Sequence, residues 1–366
     1  MNNIAKTAAL AFLLGFSGLA SAGHHESATH GGAQVKHIGY SQMGDPAAVL
    51  EVKTEASRAL SPGEVRVKVL ASPINPSDLM QIAGNYGVDP VLHARPGSEG
   101  IGRVTEASPD VQALKVGQLV LLASGTTWAE ELVAPAAAFL PLPDLGPVGA
   151  EVIEQLAMAA VNPLTALLML TSYTDVSEGQ WIVQSAANSA VGGYVIQLAK
   201  QRGIKTVNIV RREGLADELM AKGADVVLID GPNLAADIAK ATNNEPIVLA
   251  LDPVGGDTFA RLSDSLGYGG TLVTFGSLSG KAAPLNTRML IGNDTRLRGF
   301  WLYKWYQTAS MQEKQAAFGQ VIPLIVNGTL KADIDSRYTI DEIKQAVTRS
   351  KQGGRNGKVL IVPSPL

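Results

Sequence analysis

The stretch from Gln180 to Arg212 holds the side chains whose spacing points most directly to chemistry. Ser185-Ala186-Ala187-Asn188-Ser189-Ala190-Val191-Gly192 is a run of small residues. It follows an apolar segment, Trp181-Ile182-Val183, and leads into Val191, Val195, Leu198 and Ala199 at helical spacing. A tight turn that opens a helix offers backbone N–H groups and the positive end of the helix dipole to an anion. Small side chains let a pyrophosphate come close. The G-x-G-x-x-G pattern of dinucleotide sites is broken here: Ala187 and Ser189 stand at the first two glycine positions, and only Gly192 remains. The next apolar segment, Thr206 to Val210, ends in Arg211-Arg212. An acid at that place would accept from the ribose hydroxyls of NAD, whereas a guanidinium binds the 2′-phosphate of NADP. The chemical reading is therefore an NADPH site. The bland reading is a strand–helix turn followed by a solvated arginine pair.

A second cluster pairs Ile74-Asn75-Pro76-Ser77-Asp78 with Gly84-Asn85-Tyr86-Gly87. Pro and Gly confine this stretch to turn geometry. A phenol there can donate to a substrate carbonyl or act as a proton donor. A loop tyrosine with a packing role is the alternative. Other chemistries are closed. There are no cysteines, which excludes disulfides, iron–sulfur clusters, thiolate zinc sites and a cysteine nucleophile. Of the histidines, His24, His25 and His30 share one polar stretch, which reads as a flexible tail before it reads as a metal site. The net charge of -3 gives no electrostatic case for a nucleic-acid partner.

These residues need elements to hold them. With 366 residues, 46% hydrophobic and 17% charged, the chain has material for one large globular domain or two ordinary ones. Residues 1–22 resemble a secretory leader: Lys6, an apolar run from Ala8 to Leu14, and the small-x-small site Ala20-Ser21-Ala22. No other apolar run is long enough to cross a bilayer, so no stable membrane insertion is expected once the leader is removed. Residues 23–34 read as a flexible tail. From Val35 to about Leu156 short strands are expected at Val49–Val52, Glu64–Val69, Gly102–Val104 and Leu119–Leu122, with turn signals between them. Glu151 to Tyr173 reads as helical, interrupted by Asn162-Pro163. Strands then alternate with helices: Trp181–Gln184, Val207–Val210, Val226–Ile229, Ile247–Leu251, Leu272–Phe275 and Leu297–Phe300. Six strands at this spacing are what a doubly wound parallel sheet requires. The last apolar segment, Lys358 to Val362, is placed to return to the first domain. The expected fold is α/β, with a Rossmann-type sheet inserted into a β-rich domain. The expected division is 35–155 with 304–366 for the β-rich domain and 156–303 for the nucleotide domain.

The motifs Ile74-Asn75-Pro76-Ser77-Asp78, Gly84-Asn85-Tyr86-Gly87, Gly97-Ser98-Glu99-Gly100, Val161-Asn162-Pro163, Asn188-Ser189-Ala190-Val191-Gly192, Asn208-Ile209-Val210-Arg211 and Gly299-Phe300-Trp301-Leu302 carry a resemblance. From about residue 38 to its end the chain resembles the zinc-free medium-chain dehydrogenase/reductases. Within them it looks most like the mitochondrial-type trans-2-enoyl thioester reductases. The resemblance implies a GroES-like catalytic domain, NADPH as cofactor and a homodimer. It implies Tyr86 as the catalytic residue. Cofactor-binding positions would be Asn162, Asn188, Ser189, Ala190, Val191, Gly192, Arg211, Arg212, Phe275, Gly276, Ser277, Leu278, Phe300, Trp301, Leu302, Tyr303 and Lys358. Asn75, Tyr86, Phe300 and Trp301 would line the substrate pocket. Zinc-bearing relatives place a histidine where Ser98 stands, so no metal is expected, and Glu99 reads as a buried structural or domain-hinge carboxylate.

The substrate implied is an acyl thioester, carried by CoA or an acyl carrier protein, for which Arg296, Arg298 and Lys304 are the basic candidates. A quinone or enone reductase with the same cofactor is the nearest alternative. A non-catalytic NADPH-binding protein and an exported protein with a relic fold are the others. Two features depart from the family. Ala190 replaces a common glycine, and Arg212-Glu213 replaces the usual Asp-Arg. The leader and the cofactor also point to opposite compartments, export against the cytosol or an organelle.

Overall fold

Val65, Val67 and Val69 alternate with Arg66 and Lys68, and all three valines are fully buried. That period of two forms the central strand of the first of two units. The computed structural model describes residues 32–88, 92–123 and 125–364. The leader-like segment and the tail histidines lie outside the described residues. The first unit combines the chain up to Ala160 with the stretch from Ile334 onward, and the second runs from Val161 to Asp333.

In chain order the first unit begins with β1 (Gln34–Gly39), α1 (Pro46–Val49), β2 (Glu51–Ala56), β3 (Glu64–Pro73) and α2 (Pro76–Ile82). It continues with β4 (Gly100–Ala107), β5 (Leu119–Leu122), β6 (Glu131–Pro135), β7 (Phe139–Pro141) and α3 (Ala150–Leu156). Two expectations need correction. The chain is already strand at Gln34, one residue inside the expected tail. Val49–Val52 is not one strand: Val49 closes a helical turn, and the strand begins at Glu51. The cause is local, since Asp45 Oδ1 accepts from Ala47 N (3.1 Å) and Pro46 sits at the first helical position.

The second unit holds α4 (Asn162–Thr171), β8 (Trp181–Gln184), α5 (Ala190–Gln201), β9 (Lys205–Val210), α6 (Ala216–Lys222), β10 (Val226–Ile229), α7 (Leu234–Ala241) and β11 (Ile247–Asp252). It ends with α8 (Gly256–Asp264), β12 (Leu266–Thr274), α9 (Thr287–Gly292), β13 (Arg296–Gly299), α10 (Leu302–Thr308) and α11 (Met311–Val326). Its sheet is six-stranded in the order β10-β9-β8-β11-β12-β13, and every pairing is parallel. This is the doubly wound arrangement expected from the sequence. Leu272–Phe275 and Leu297–Phe300 each stop one residue earlier than expected, which leaves Phe275 and Phe300 in the loops beyond the strands.

The chain then re-enters the first unit as β14 (Ile334–Tyr338), α12 (Ile343–Lys351) and β15 (Lys358–Ile361). These strands extend the first unit's sheet to the order β14-β15-β3-β4-β5-β7, with β6 also paired to β3. The return falls at 333/334, not at 303/304. The thirty intervening residues include α11, a helix that packs against α4 in the second unit. A sequence pattern shows an amphipathic helix but not which layer takes its apolar face.

Candidate active site

In a parallel sheet every strand delivers its following loop to the same edge. Here β9 ends before Arg211-Arg212, β8 before the 185–192 turn, β11 before 253–255, β12 before Phe275–Leu278 and β13 before Phe300–Tyr303. The strand order fixes the order of those loops along the edge. The connection reverses direction between β8 and β11, and that switch point is where open α/β sheets bind ligands. The arginines therefore flank the turn on one side, and the aromatic loops follow on the other.

The turn itself is built for close approach. Ser189 caps α5, its Oγ accepting from Gly192 N at 3.1 Å. Ala186 carries the left-handed conformation (φ +49°) that a glycine would often take. A Cβ on Gly192 would lie 2.4 Å from the carbonyl oxygen of Ala187, so no other residue fits without moving backbone. Asn188 is exposed, while Ser189, Ala190 and Val191 are half-buried. Ala190 is the first residue of the helix, where N–H groups have no intrahelical acceptor. Arg211 and Arg212 are both exposed, and among the described residues neither guanidinium makes a hydrogen bond or ion pair. Free N–H donors, a glycine that admits no Cβ and two unengaged cations fit a phosphorylated dinucleotide.

Farther along, Phe275 is half-buried and Gly276, Ser277 and Leu278 are exposed. Phe300 is buried and meets Tyr173 edge-on, with ring centroids 6.3 Å apart. Trp301 and Tyr303 stack at a tilt, 5.0 Å apart, and Leu302 between them is half-buried. Asn162 opens α4 and is buried in the same unit. Arg298 lies over the Tyr173 ring at 5.9 Å and Lys304 over Tyr303 at 5.9 Å, while Arg296 stands 3.9 Å from Asp294.

Two polar links lie under this edge. Gln184 Nε2 donates to Gly192 O (3.0 Å) and to Asn208 Oδ1 (2.8 Å), and Asn208 Nδ2 donates on to Thr206 Oγ1 (2.9 Å). Ser185 Oγ donates to the carboxylate of Asp252, which is fully buried. A polar residue ending an otherwise apolar strand was the available signal for Gln184 and Asp252.

Tyr86, Asn75 and Lys358 belong to the first unit. Tyr86 is half-buried in the loop after α2, between Gly84 (φ +77°) and Gly87 (φ +76°), which turn the chain through left-handed conformations. Beneath α2 lies a buried polar cluster. Asn75 N donates to Asp78 Oδ2 (2.8 Å), Ser98 N to Asp78 Oδ1 (3.0 Å), and Asn75 Nδ2 to Glu99 Oε1 (2.9 Å). Lys358 Nζ donates to Ile74 O (3.0 Å) and to Asn75 Oδ1. Glu99 is fully buried, as expected, and Asn75 and Lys358 are engaged inside the unit. Burial pulls the Lys358 ammonium down to about 8, against the opposing pull of Glu99 and Asp78. Burial likewise pushes the Asp78 carboxyl up.

Residues 61–144 match the alcohol dehydrogenase GroES-like domain, and residues 190–319 the zinc-binding dehydrogenase family. The rat protein named enoyl-[acyl-carrier-protein] reductase, mitochondrial, is 35% identical over 325 residues, covering 87% of this chain and 86% of its own. The chain belongs to the zinc-free medium-chain dehydrogenase/reductases, in the enoyl thioester reductase branch. The fold of this reductase agrees with solved members. A complex of Etr1p with NADP and crotonyl-CoA superposes with a TM-score of 0.81 at 28% identity, over 90% of this chain and 100% of that one. Etr1p is named a mitochondrial 2-enoyl thioester reductase of Candida tropicalis. A putative NADPH:quinone reductase from Bacillus thuringiensis matches with a TM-score of 0.81 at 28% identity, over 90% and 99%. Among the described residues no helix is long and apolar enough to cross a membrane.

Proposed function

We propose that this reductase uses NADPH to saturate the C2–C3 double bond of 2-enoyl thioesters. The observation that carries the reading is the loop row at the sheet's carboxyl edge, with its closed-in Gly192 and two guanidiniums unengaged among the described residues, in a chain of the enoyl thioester reductase branch. Arg211 and Arg212 hold the 2′-phosphate, and the 188–192 turn holds the pyrophosphate. Phe275–Leu278 and Phe300–Tyr303 flank the nicotinamide and the acyl chain, with Asn162 as a further cofactor contact. NADPH, when bound, supplies the hydride that adds at C3.

Negative charge then builds on the thioester carbonyl oxygen, and C2 must take a proton. Tyr86 supplies the O–H that this requires, either to the oxygen as charge develops or to C2. Asn75, whose side chain is taken up by Glu99 and Lys358, steadies the start of α2 beneath the Tyr86 loop. The assembly we propose is a homodimer, working where NADPH is regenerated. Arg296, Arg298 and Lys304 are the basic residues open to an acyl carrier protein.

The equal likeness to a quinone reductase keeps that activity as a second reading. NADPH oxidation measured side by side with crotonyl-CoA and a small quinone separates the two. Turnover on crotonyl-CoA exceeding that on the quinone by about tenfold or more in kcat/KM is expected. Turnover on the quinone with none on crotonyl-CoA overturns the proposal.

A further inference from the structure

Asp252 ends β11, beside the switch point, and is 0% exposed. A buried carboxylate needs a compensating partner. Among the described residues no cation pairs with this one, and its oxygens are met by donors alone. Val254 N donates to Oδ1 (3.1 Å), Gly255 N to Oδ2 (2.8 Å), and the Ser185 hydroxyl to Oδ1. Three donors to one carboxylate make it a strong fixed point.

What it fixes lies on both sides of the switch point. Ser185 is the first residue of the small-residue turn, and its N–H also reaches across to Leu251 O (3.0 Å). On the other side, the segment that Asp252 folds back on itself templates the loop after β12. Phe275 N donates to Asp252 O (3.0 Å), Leu278 N to Pro253 O (3.0 Å) and Ser279 N to Val254 O (2.9 Å). A Cβ on Gly276 would stand 2.8 Å from Pro253 O, so the two loops are in backbone contact. Gly255 and Gly256 take left-handed φ values of +75° and +58° to make the fold-back.

We infer that Asp252 is the positioning residue that sets the 275–278 loop against the 185–192 turn, and so holds the nicotinamide end of the cofactor site in register with its pyrophosphate end. The inference rests on the cofactor reading above. The turn has a second anchor toward β9, through Ala187 N donating to Ile209 O (3.1 Å). The 275–278 loop depends on the Asp252 segment. Loss of the carboxylate therefore acts mainly on the nicotinamide end.

The test compares Asp252→Asn and Ser185→Ala with the parent on full-length protein. NADPH and 2′-phospho-ADP-ribose, which lacks nicotinamide, are titrated against tryptophan fluorescence, and kcat and KM are measured on crotonyl-CoA. Asp252→Asn is expected to weaken NADPH about tenfold and to lower kcat, while the fragment weakens by less than about threefold. Ser185→Ala, which removes one hydroxyl, is expected to shift the same ratio in the same direction by less. A merely structural role would lower the thermal midpoint and the active fraction but leave the NADPH-to-fragment ratio unchanged. An unchanged ratio in Ser185→Ala overturns the inference even where Asp252→Asn does not fold. Failure of the parent to bind either nucleotide overturns the cofactor reading itself, and the inference with it.

Discussion

Tyr86 shows what one side chain can and cannot declare. In the sequence, the glycines on either side leave its phenol little packing role and mark it as a candidate proton donor, and the family resemblance supplies the catalytic role proposed above. The structure adds that Gly84 and Gly87 both take left-handed φ, so glycine is required on either side of the tyrosine. Replacing Tyr86 by Phe keeps the ring and removes only the O–H. Turnover on crotonyl-CoA is expected to fall about 10²-fold or more while the thermal midpoint stays within a few degrees. Unchanged kcat in a folded Tyr86→Phe protein takes the residue out of the mechanism. The arginines stand out in the sequence for the opposite reason: a cation pair beyond a strand end is either a solvated pair or a phosphate site, and the structure leaves both side chains exposed. Lys358 was not legible from its neighbours in sequence. Its environment comes from Ile74, Asn75 and Glu99, which only the fold brings near.

At the scale of elements, the strand–turn–helix from Trp181 to Gln201 works because the first turn of α5 packs directly onto the backbone of the turn that precedes it. The contact that allows this is Gly192 against the Ala187 carbonyl, and Gln184 reinforces it by donating to Gly192 O. Both groups in the close contact are backbone, so a methyl there cannot be absorbed by a rotamer change. Gly192→Ala is expected to cost about 1–3 kcal/mol of stability and to raise the KM for NADPH by roughly tenfold as the turn moves off the helix end. Urea unfolding and initial rates check the two effects, and a variant equal to the parent in both refutes the close-packing account. Periodicity made the six parallel strands readable, because strands buried on both faces are continuous apolar runs. It could not place α1, where an Asp-Pro cap outweighed strand-forming valine. Nor could it assign α11 to its unit, because an apolar face does not name its partner.

For the whole molecule, the decisive fact is that the first unit is closed by the last residues of the chain. Ile340, Ile343, Ala346, Val347, Val359 and Ile361 share one buried cluster with Ile38, Tyr40, Leu50 and Trp128. The return segment is pinned by Asp335 on β14, whose side chain is 7% exposed. Arg349 on α12 donates Nε to Asp335 Oδ2 at 2.8 Å, and Asn356 N donates to Oδ1 at 3.0 Å. The Arg349 guanidinium, chiefly, holds this carboxyl down to about 2. An unfolded aspartate titrates near ~3.9. Between these values the unfolded chain binds the extra proton, so the pair's contribution is present above about pH 4 and is lost as pH falls toward 2. That contribution is on the order of 1 kcal/mol once solvent screening at the partly exposed arginine is allowed for. Asp335→Asn is therefore expected to be less stable than the parent at neutral pH, with the gap closing between about pH 4 and pH 2. Urea midpoints of both proteins at pH 7, 4 and 2.5 read this directly. Parallel declines, with a constant gap down to the lowest pH, would show that the β14–α12 link is not what the return segment depends on.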